Sequence, residues 1–280
     1  MEDRLLNPGD FDRLHAAFLR AFSNYAVPTA FDAPTLRRLM LRRGADLECS
    51  VGVFDGGEMV AFMVVAVDDF EAQKSAYDVF TGVVPSHRGQ RLAARLFDAS
   101  LPGLRERGVG RFVLEVIRSN EAAVRAYERQ GVMRRRRFSC FEVSRLAPVS
   151  VPFRIEETAA GSLVELGRMC SWNPSWQNAT ASLLRAGDEV RVFRAVEDDV
   201  PLGFAAVVPK SRDLPQLVVD PRHRRRGVGT ALLRICFDSL ESGAELRVIN
   251  VDESSAPDLA FFGRHAARSL PGQYERVLPL

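Results

Sequence analysis

The strongest constraint on this chain is an internal repeat. The stretch VVPSHRGQRLAARLF, which starts at Val83, matches VDPRHRRRGVGTALL, which starts at Val219. Both stretches read Val-x-Pro-x-His-Arg and continue into an apolar helical face. Subtracting 88 from 224 puts their shared arginines 136 positions apart in a chain of 280 residues. Repetition at about half the chain length predicts a duplicated domain.

Composition and charge exclude several classes of protein. Hydrophobic residues make up 46% and charged residues 26% of the chain, as in soluble globular proteins. No apolar run approaches the ~20 residues that cross a bilayer, and the start Met-Glu-Asp-Arg lacks the pattern of a secretory signal. We therefore expect a cytoplasmic protein with no membrane partner. A net charge of +2 argues against nucleic acid as the main partner, and the four cysteines show no metal-binding spacing.

Helical and strand patterns alternate along both halves, which predicts an α/β fold with a mixed sheet in each. We expect domains over 1–147 and 151–280, joined by a short proline-bearing linker. In the first half we predict helices over 11–22 and 34–43, strands over 49–54, 59–67 and 77–84, a helix ending near 107, a strand over 112–117, a helix over 120–130 and a strand over 134–143. In the second half we predict a helix over 162–170, strands over 190–196, 201–208 and 214–219, a helix ending near 240, a strand over 246–251 and a helix over 256–267.

The repeated turn is suited to holding phosphate. In the second copy, an Arg-x-x-Gly-x-Gly turn from Arg224 to Gly229 lies between a strand and a helix. Glycines let backbone N–H groups approach an anion, and the N-terminus of the following helix attracts it. The first copy has Arg91 in place of the first glycine and Ala93 in place of the second. A long side chain there could obstruct an anion, or its guanidinium could reach a phosphate.

With these turns the chain resembles the GNAT superfamily of acyl-CoA-dependent N-acyltransferases, and it resembles two such domains in tandem. The resemblance implies acetyl-CoA as cosubstrate, no metal, and in each half a mixed, mostly antiparallel sheet with a splayed central strand pair flanked by helices. It implies that the strand before each turn binds the pantetheine arm and that the turn binds the pyrophosphate. The implied cofactor residues are Val83, Val84, Arg88, Gly89, Gln90, Arg91, Leu92 and Ala93 in the first half, and Val218, Val219, Arg224, Arg225, Arg226, Gly227, Val228, Gly229 and Thr230 in the second.

A second family motif, Asn-x-x-Ala-x-x-x-Tyr-x-x-x-Gly, is complete in the first half as Asn120, Ala123, Tyr127 and Gly131. Asn120 is predicted to cap the helix, and the resemblance implies that it also binds the cofactor arm. The resemblance makes Tyr127 the acid that protonates the departing thiolate, a role that suits a phenol with a pKa of ~10. A core aromatic at helical spacing is the alternative reading of Tyr127.

The second half lacks this acid. Phe262 stands where the tyrosine is expected, Ala266 replaces the glycine, and Asn250 is the proposed cap. Phenylalanine has no proton to donate. We therefore favour the first half as catalytic. The second half is then expected to be a degenerate copy that still binds CoA, forms a packing partner or shapes the acceptor site.

These residues predict an N-acetyltransferase that moves an acetyl group from acetyl-CoA to a primary amine of a small molecule or peptide by direct attack. Glu115 is the candidate general base, with Asp78 behind it, and a backbone N–H near Val84 is the predicted oxyanion donor. The resemblance places the acceptor site around Phe22, Tyr25 and Phe31. The alternatives are a non-catalytic CoA-binding or scaffold protein and catalysis in the second half. The oligomeric state is open.

Three other features have structural interpretations. The arginines of 134–137 are expected on a solvated strand edge that discourages pairing. Trp172 and Trp176 line an acceptor pocket or form an aromatic plug. His87 and His223 are expected at the surface of the two turns rather than in catalysis.

Overall fold

The computed structural model describes residues 1–23 and 31–280. Tyr25, one of the expected acceptor-site residues, lies outside them. The helices and strands of the described residues are, in chain order, β1 (Glu2–Leu5), α1 (Phe11–Ala21), α2 (Ala33–Arg43), β2 (Ala45–Asp55), β3 (Glu58–Phe70), β4 (Gln73–Val83), α3 (Leu92–Glu106), β5 (Arg111–Ile117), α4 (Glu121–Arg129), β6 (Met133–Val143), β7 (Arg154–Thr158), α5 (Leu163–Leu166), α6 (Thr180–Ala186), β8 (Arg191–Glu197), β9 (Val200–Val208), β10 (Asp213–Val219), α7 (Val228–Asp238), β11 (Leu246–Asp252), α8 (Ala256–His265) and β12 (Ala266–Pro279).

The chain forms two compact units. Each unit is built mainly from one repeat, with short segments exchanged between them near the end of each repeat. The first unit comprises Met1–Val116, Asn120–Arg135 and Glu275–Leu280, and the second comprises Ile117–Ser119 and Arg136–Tyr274. The domain bounds 1–147 and 151–280 stay a prediction. The compact units differ from them because the end of the first repeat belongs to the second unit and the last six residues belong to the first.

In the first unit, β1 to β4 form an antiparallel meander and β5 lies parallel to β4. The register pairs of β4 and β5 run from Ser75–Arg111 to Tyr77–Val113, while β4 continues to Val83. The two strands therefore diverge after Tyr77, which confirms the predicted splayed pair.

The core of the first unit follows from its apolar strands and amphipathic helices. Residues 59–66 of β3 are all buried, and α1 buries the side chains that recur on one of its faces. Gly82 of β4 lies directly under the ring of Phe62, where an added Cβ would come 2.4 Å from Cζ. The same Cβ would come 3.0 Å from Cβ of Ala21, so the glycine lets the last turn of α1 lie close against β4.

The second unit repeats this plan. Strands β7 to β10 are antiparallel, β11 is parallel to β10 with a register pair at Asp213–Arg247, and β11 pairs with β6 in antiparallel fashion. The helix α7 packs on β8, β9 and β10 and buries Leu232, Leu233 and Phe237. Both units are thus mixed α/β folds with mostly antiparallel sheets, as predicted.

Several elements differ from the sequence prediction. The expected helix over 162–170 is a single α-helical turn, α5, flanked by 3₁₀ turns. The strands β1, β7 and β12 and the helix α6 were not expected. β12 was missed because it contains Pro271 and Gly272, which ordinarily mark a turn. Gly272 is instead required by close packing, since an added Cβ would come 2.8 Å from the carbonyl oxygen of Phe138.

The described residues contain neither a helix suited to cross a membrane nor a cluster suited to bind a metal. None of their helices has the length and apolar character needed to cross a membrane. No group of three or more histidine, cysteine, aspartate or glutamate side chains among them is arranged to hold a metal ion.

Candidate active site

The opening between β4 and β5 is the centre of the candidate site in the first unit. The backbone N–H of Val84 donates to the carbonyl oxygen of Val60 on β3 at 2.9 Å. Backbone groups of an antiparallel strand point alternately to its two sides, so the N–H and C=O of Val83 face the opening. The N–H of Val84 itself is used within the sheet, and the oxyanion donor expected near Val84 stays a prediction, for which the N–H of Val83 is the available group.

The turn after β4 is held by Arg88. Its Nε donates to the carbonyl oxygen of Val83 at 3.3 Å, and its Nη2 donates to that of Ala21 at 2.8 Å. In the second unit, Arg224 Nε makes the same bond to the carbonyl oxygen of Val219, also at 3.3 Å. The first arginine of each turn thus braces the turn against its strand.

Both turns have the same backbone conformation with their glycines exchanged. In the first turn, Gly89 has φ +79° and Arg91 has φ +58°. At the equivalent positions of the second turn, 136 residues later, Arg225 has φ +66° and Gly227 has φ +84°. Each turn therefore has two left-handed residues, one of which is a glycine. Arg91 does not distort the first turn.

This conformation makes the start of α3 a place where an anion fits. Arg91 is the N-cap of α3 and makes no side-chain capping bond. The first N–H groups of an α-helix have no partner inside the helix, and alternating right-handed and left-handed residues form a concave row of N–H groups. Gly89, Gln90 and Arg91 are exposed. The residues present can thus receive a pyrophosphate group.

The helix α4 begins and ends as its motif predicts. The side-chain oxygen of Asn120 accepts from the N–H of Ala123 at 3.2 Å, which confirms the predicted cap. At the other end, Gly131 has φ +78°, and the N–H of Val132 donates to the carbonyl oxygen of Tyr127 at 3.0 Å. This is a Schellman motif, which explains the glycine of the family pattern by backbone conformation.

Tyr127 is directed toward β4. Its hydroxyl donates to Oδ2 of Asp78 at 2.8 Å. Thr81 Oγ1 lies 2.9 Å from both carboxylate oxygens of Asp78. A bulge at Val79 shifts the register of β3 and β4 and brings Asp78 and Thr81 to one face of the sheet. The sequence named Asp78 only as a second candidate base and did not predict its bond to Tyr127.

Burial raises the pKa of Asp78 to about 6, against the opposing effect of the hydrogen bonds from Tyr127 and Thr81 and of the charge of Arg43. Asp78 thus changes charge near neutral pH. Glu115, the other candidate base, is half-buried and hydrogen-bonds to Tyr77. Burial, and next the charge of Glu115, keep the pKa of Tyr77 well above its usual value, so Tyr77 stays protonated. Both candidate bases therefore lie at the point where β4 and β5 separate.

The aromatic residues expected at the acceptor site form a cluster around Phe18. Its ring centroid lies 4.7 Å from that of Phe22, 5.9 Å from Phe31 and 5.1 Å from Phe80. Phe22, Phe31 and Phe80 are half-buried. Phe80 lies two residues after Asp78 on β4, but the bulge at Val79 places the two side chains on opposite faces of the sheet, so the cluster does not adjoin Asp78 directly.

The corresponding turn in the second unit is also exposed at residues 225–227, but other parts of it are engaged by side chains. An added Cβ at Gly229 would come 3.2 Å from the ring of Phe261, so this glycine accommodates an aromatic side chain on α8. Arg226 is paired with Glu197 through Nη2, which lies 2.7 and 2.8 Å from the two carboxylate oxygens. Phe262 is buried and stacks on Phe141 with centroids 6.4 Å apart. The more typical sequence motif thus belongs to the turn in which the second glycine and one arginine already have partners within the unit.

The gap between β10 and β11 is bridged by the chain itself. Gln216 on β10 donates to the carbonyl oxygen of Asn178 at 2.7 Å. Asn178 Nδ2 in turn donates to the carbonyl oxygen of Ile249 on β11 at 2.8 Å. Trp176, in the same segment, is 2% exposed. The segment from Ser175 to Asn178 therefore occupies the place where a pantetheine arm would enter the second unit.

Other expectations for the second unit need correction. Asn250 is not a helix cap, since α8 begins after Ser255 and Asn250 lies in β11. Asn250 is buried, and its Nδ2 donates to Ser175 Oγ at 3.0 Å. The prediction failed because asparagine is common both at helix caps and in the left-handed conformation. Asn250 has φ +62° and adopts the second of these within β11. Trp172 is half-buried and Trp176 is a core residue.

The arginines of 134–137 do not form a solvated strand edge. Within the first unit, Arg135 pairs with Glu71 at 2.7 Å and with Glu275 at 3.0 Å. Within the second unit, Arg136 pairs with Asp252 at 3.3 Å, and β6 pairs with β11 from Phe138 to Val143. The cluster is used in ion pairs rather than in binding an external anion.

The histidines of the two turns make local contacts. His87 Nε2 lies 3.3 Å from Asp55 Oδ2, and His223 Nδ1 lies 3.2 Å from Arg226 Nη1. These contacts agree with the structural role that the sequence predicted.

Comparison with known proteins identifies an acetyltransferase domain in each half of the chain. The model of the acetyltransferase (GNAT) family matches residues 11–132, and a model described as acetyltransferase (GNAT) domain matches residues 188–265. N-alpha-acetyltransferase 30 of Schizosaccharomyces pombe is 41% identical over 61 residues, which are 22% of this chain and 41% of that protein.

Similar solved structures cover the whole chain. A GCN5-related N-acetyltransferase from Sphaerobacter thermophilus matches 99% of this chain and 95% of its own, with TM-score 0.74 and 16% identity. A tandem GNAT protein from the clavulanic acid biosynthesis pathway matches 99% of this chain and 98% of its own, with TM-score 0.73 and 13% identity. At these identities the likeness concerns the fold.

The fold, with its splayed strands and phosphate-type turns, and the two family models place the chain among the GNAT acetyltransferases. More particularly, it is a tandem GNAT protein, with one GNAT domain matched in each half.

Proposed function

We propose that the protein is an N-acetyltransferase whose first unit transfers an acetyl group from acetyl-CoA to a primary amine of a small molecule or peptide. The observation that carries this proposal is the hydroxyl of Tyr127, which a capped helix holds 2.8 Å from Asp78 beside the diverging strands. A phenol at this place is suited to protonate a thiolate as the C–S bond breaks. Cytoplasmic location stays a prediction.

The cofactor residues of the first unit are proposed as follows. The N–H groups of the turn Gly89–Ala93 bind the pyrophosphate, with the start of α3 directed at the negative charge. The N–H of Val83 is the proposed oxyanion donor. Its carbonyl oxygen, which also accepts from Arg88, is the proposed acceptor for the pantetheine arm. Asn120 offers its side-chain nitrogen to the same arm, since its oxygen caps α4.

Two proton transfers accompany the reaction. The neutral amine attacks the thioester carbonyl carbon, an N–C bond forms, and the C–S bond breaks. Tyr127 gives its proton to the departing sulfur. Glu115 takes a proton from the attacking nitrogen, directly or through water, and Asp78 is the second candidate for this step. The hydrogen bond from Tyr127 to Asp78 fixes the position of the phenol oxygen before the reaction, and the O–H turns from Asp78 to the sulfur as the C–S bond breaks.

The second unit is proposed to have a structural role. Phe261 covers Gly229, the segment Ser175–Asn178 bridges β10 and β11, and Phe262 cannot donate a proton. These observations argue against acetyl-CoA binding by Val218, Val219 and residues 224–230, and against catalysis in this unit. A protein in which neither unit turns over is the competing function.

Thiol release from acetyl-CoA in the presence of a panel of amines tests the proposal. We expect acceptor-dependent release by the native chain and a loss of about 100-fold or more in kcat for Tyr127→Phe, the usual size of a general-acid contribution. Phe262→Leu in the second unit is the matched control and should keep the native rate. Binding of CoA without acceptor-dependent release would show the competing function, and equal rates for Tyr127→Phe and the native chain would remove Tyr127 from the mechanism.

A further inference from the structure

The last six residues of the chain, Glu275–Leu280, belong to the first unit although they follow the second repeat in sequence. In the order of strands, β12 lies next to β5, and the N–H of Leu280 donates to the carbonyl oxygen of Gly110 at 3.1 Å. These residues form the end of a strand beside β5, and β5 is the strand that leads into α4, the helix of Tyr127.

Two buried charged side chains fasten this segment. Glu275 is 0% exposed and accepts from Arg135 Nη1 at 3.0 Å. The same guanidinium reaches Glu71 at 2.7 Å, and Glu71 also pairs with Arg111 at the start of β5. A charge this deeply buried is stable only when it is paired, so the position of the segment is closely specified.

Arg276 connects the segment to the helix of the proposed acid. It is 4% exposed, and its Nε and Nη2 donate to the carbonyl oxygen of Val132 at 3.1 and 2.7 Å. Its Nη1 donates to Glu128 Oε1 at 3.1 Å. Val132 in turn donates its N–H to the carbonyl oxygen of Tyr127. One guanidinium thus binds both the residue next to Tyr127 and the end of the Schellman motif that terminates α4.

We infer that Arg276 is a positioning residue for Tyr127, and that the end of the second repeat completes the active site of the first. The inference rests on the proposed function, in which Tyr127 is the acid. It also gives the second unit a purpose that needs no second active site: its chain delivers the segment that holds α4. Arginine suits this task because its planar fork can bind the carbonyl and the carboxylate together.

The first experiment measures α4 directly. Arg276→Met keeps an apolar stem of similar length but removes the guanidinium. We expect amide hydrogen exchange in residues 121–132 of the full chain to become at least about tenfold faster, because local opening of α4 costs less free energy. Arg268→Met is the matched control, since Arg268 lies on the same strand, is exposed and pairs with Glu142 in the second unit. Unchanged exchange in 121–132, or equal acceleration in both variants, would overturn the inference.

The second experiment separates positioning from general stability. In the native background we expect Arg276→Met to lower kcat for thiol release by about 10- to 100-fold with little change in KM for acetyl-CoA, since small displacements of a reacting group have effects of this size. In the Tyr127→Phe background the same change should alter kcat by less than about twofold, because the group that it positions is gone. An equal loss in both backgrounds would overturn the inference.

Two further variants guard against a folding defect. Glu128→Gln removes one charged contact of Arg276 and leaves both bonds to Val132, and we expect an intermediate loss of kcat. Arg276→Lys keeps the charge without the fork and should recover part of the native kcat. If Glu128→Gln and Arg276→Lys both keep the native rate and the native exchange of α4, the inference is wrong. An inactive native chain with accelerated exchange in Arg276→Met would instead reject the proposed function and retain the contact between Arg276 and α4.

Discussion

Replacing Asp78 by asparagine tests whether this carboxyl group is buried beside Tyr127 as described. Burial moves the pKa of Asp78 from 3.8 to about 6. A shift of this size corresponds to about 3 kcal/mol, at 1.36 kcal/mol for each pKa unit. Because the pKa is higher in the folded chain, the folded chain binds the proton more tightly between these pH values. The contribution of Asp78 to stability is therefore most favourable below pH 3.8 and is lost as the pH rises through about 6.

The measurement is urea unfolding of the native chain and Asp78→Asn at pH 4.5 and pH 8. Asparagine keeps an oxygen that accepts from Tyr127 and Thr81, so the charge is the main difference. We expect the free energy of unfolding of Asp78→Asn, relative to the native chain, to be about 2 kcal/mol higher at pH 8 than at pH 4.5, because about a third of the full effect is already present at pH 4.5. Other carboxyl groups titrate equally in both proteins and cancel. If the difference in unfolding free energy between the two proteins does not change with pH, Asp78 is not a buried carboxyl group with a raised pKa.

Three further changes have clear expected outcomes. Arg91→Gly should stabilise the chain by up to about 1 kcal/mol in thermal unfolding, because glycine adopts the left-handed conformation without strain. Calorimetry should show that the variant binds acetyl-CoA with an affinity within about threefold of the native chain. Binding by the variant alone would show that Arg91 blocks the turn. Adding Phe262→Tyr to Tyr127→Phe should not restore thiol release, because the second unit is obstructed; recovery would place an open site there. Gly82→Ala should destabilise the first unit by about 1–3 kcal/mol in urea unfolding, because its Cβ would overlap the ring of Phe62; an unchanged midpoint would contradict that packing.

The sequence predicted the features that depend on local patterns. Helix α4 was recognisable because its cap, Asn120, and its terminating glycine, Gly131, lie within one motif with helical spacing. The repeat at the two turns was visible for the same reason. Both predictions concern residues whose partners lie within a few positions along the chain.

Features that depend on distant contacts were not predictable in this way. The bond between Tyr127 and Asp78 joins residues 49 positions apart, and Arg276 contacts Val132 from 144 positions away. Arginine disfavours the left-handed conformation, so its residue type gave no sign that Arg91 adopts the conformation of Gly227. The typical glycines of the second turn suggested an open phosphate site, whereas Phe261 packs against Gly229. The glycine residue alone does not show whether it makes room for a phosphate group or for a side chain of the protein.

We propose that only the first unit binds acetyl-CoA. Isothermal titration of acetyl-CoA into the native chain and into Ala93→Glu tests it most directly. A carboxylate in the first turn of α3 favours the helix but repels phosphate, so a loss of binding would not reflect unfolding. We predict one site per native chain and no measurable binding to Ala93→Glu. Two sites in the native chain, or one site that persists in Ala93→Glu, would contradict the claim.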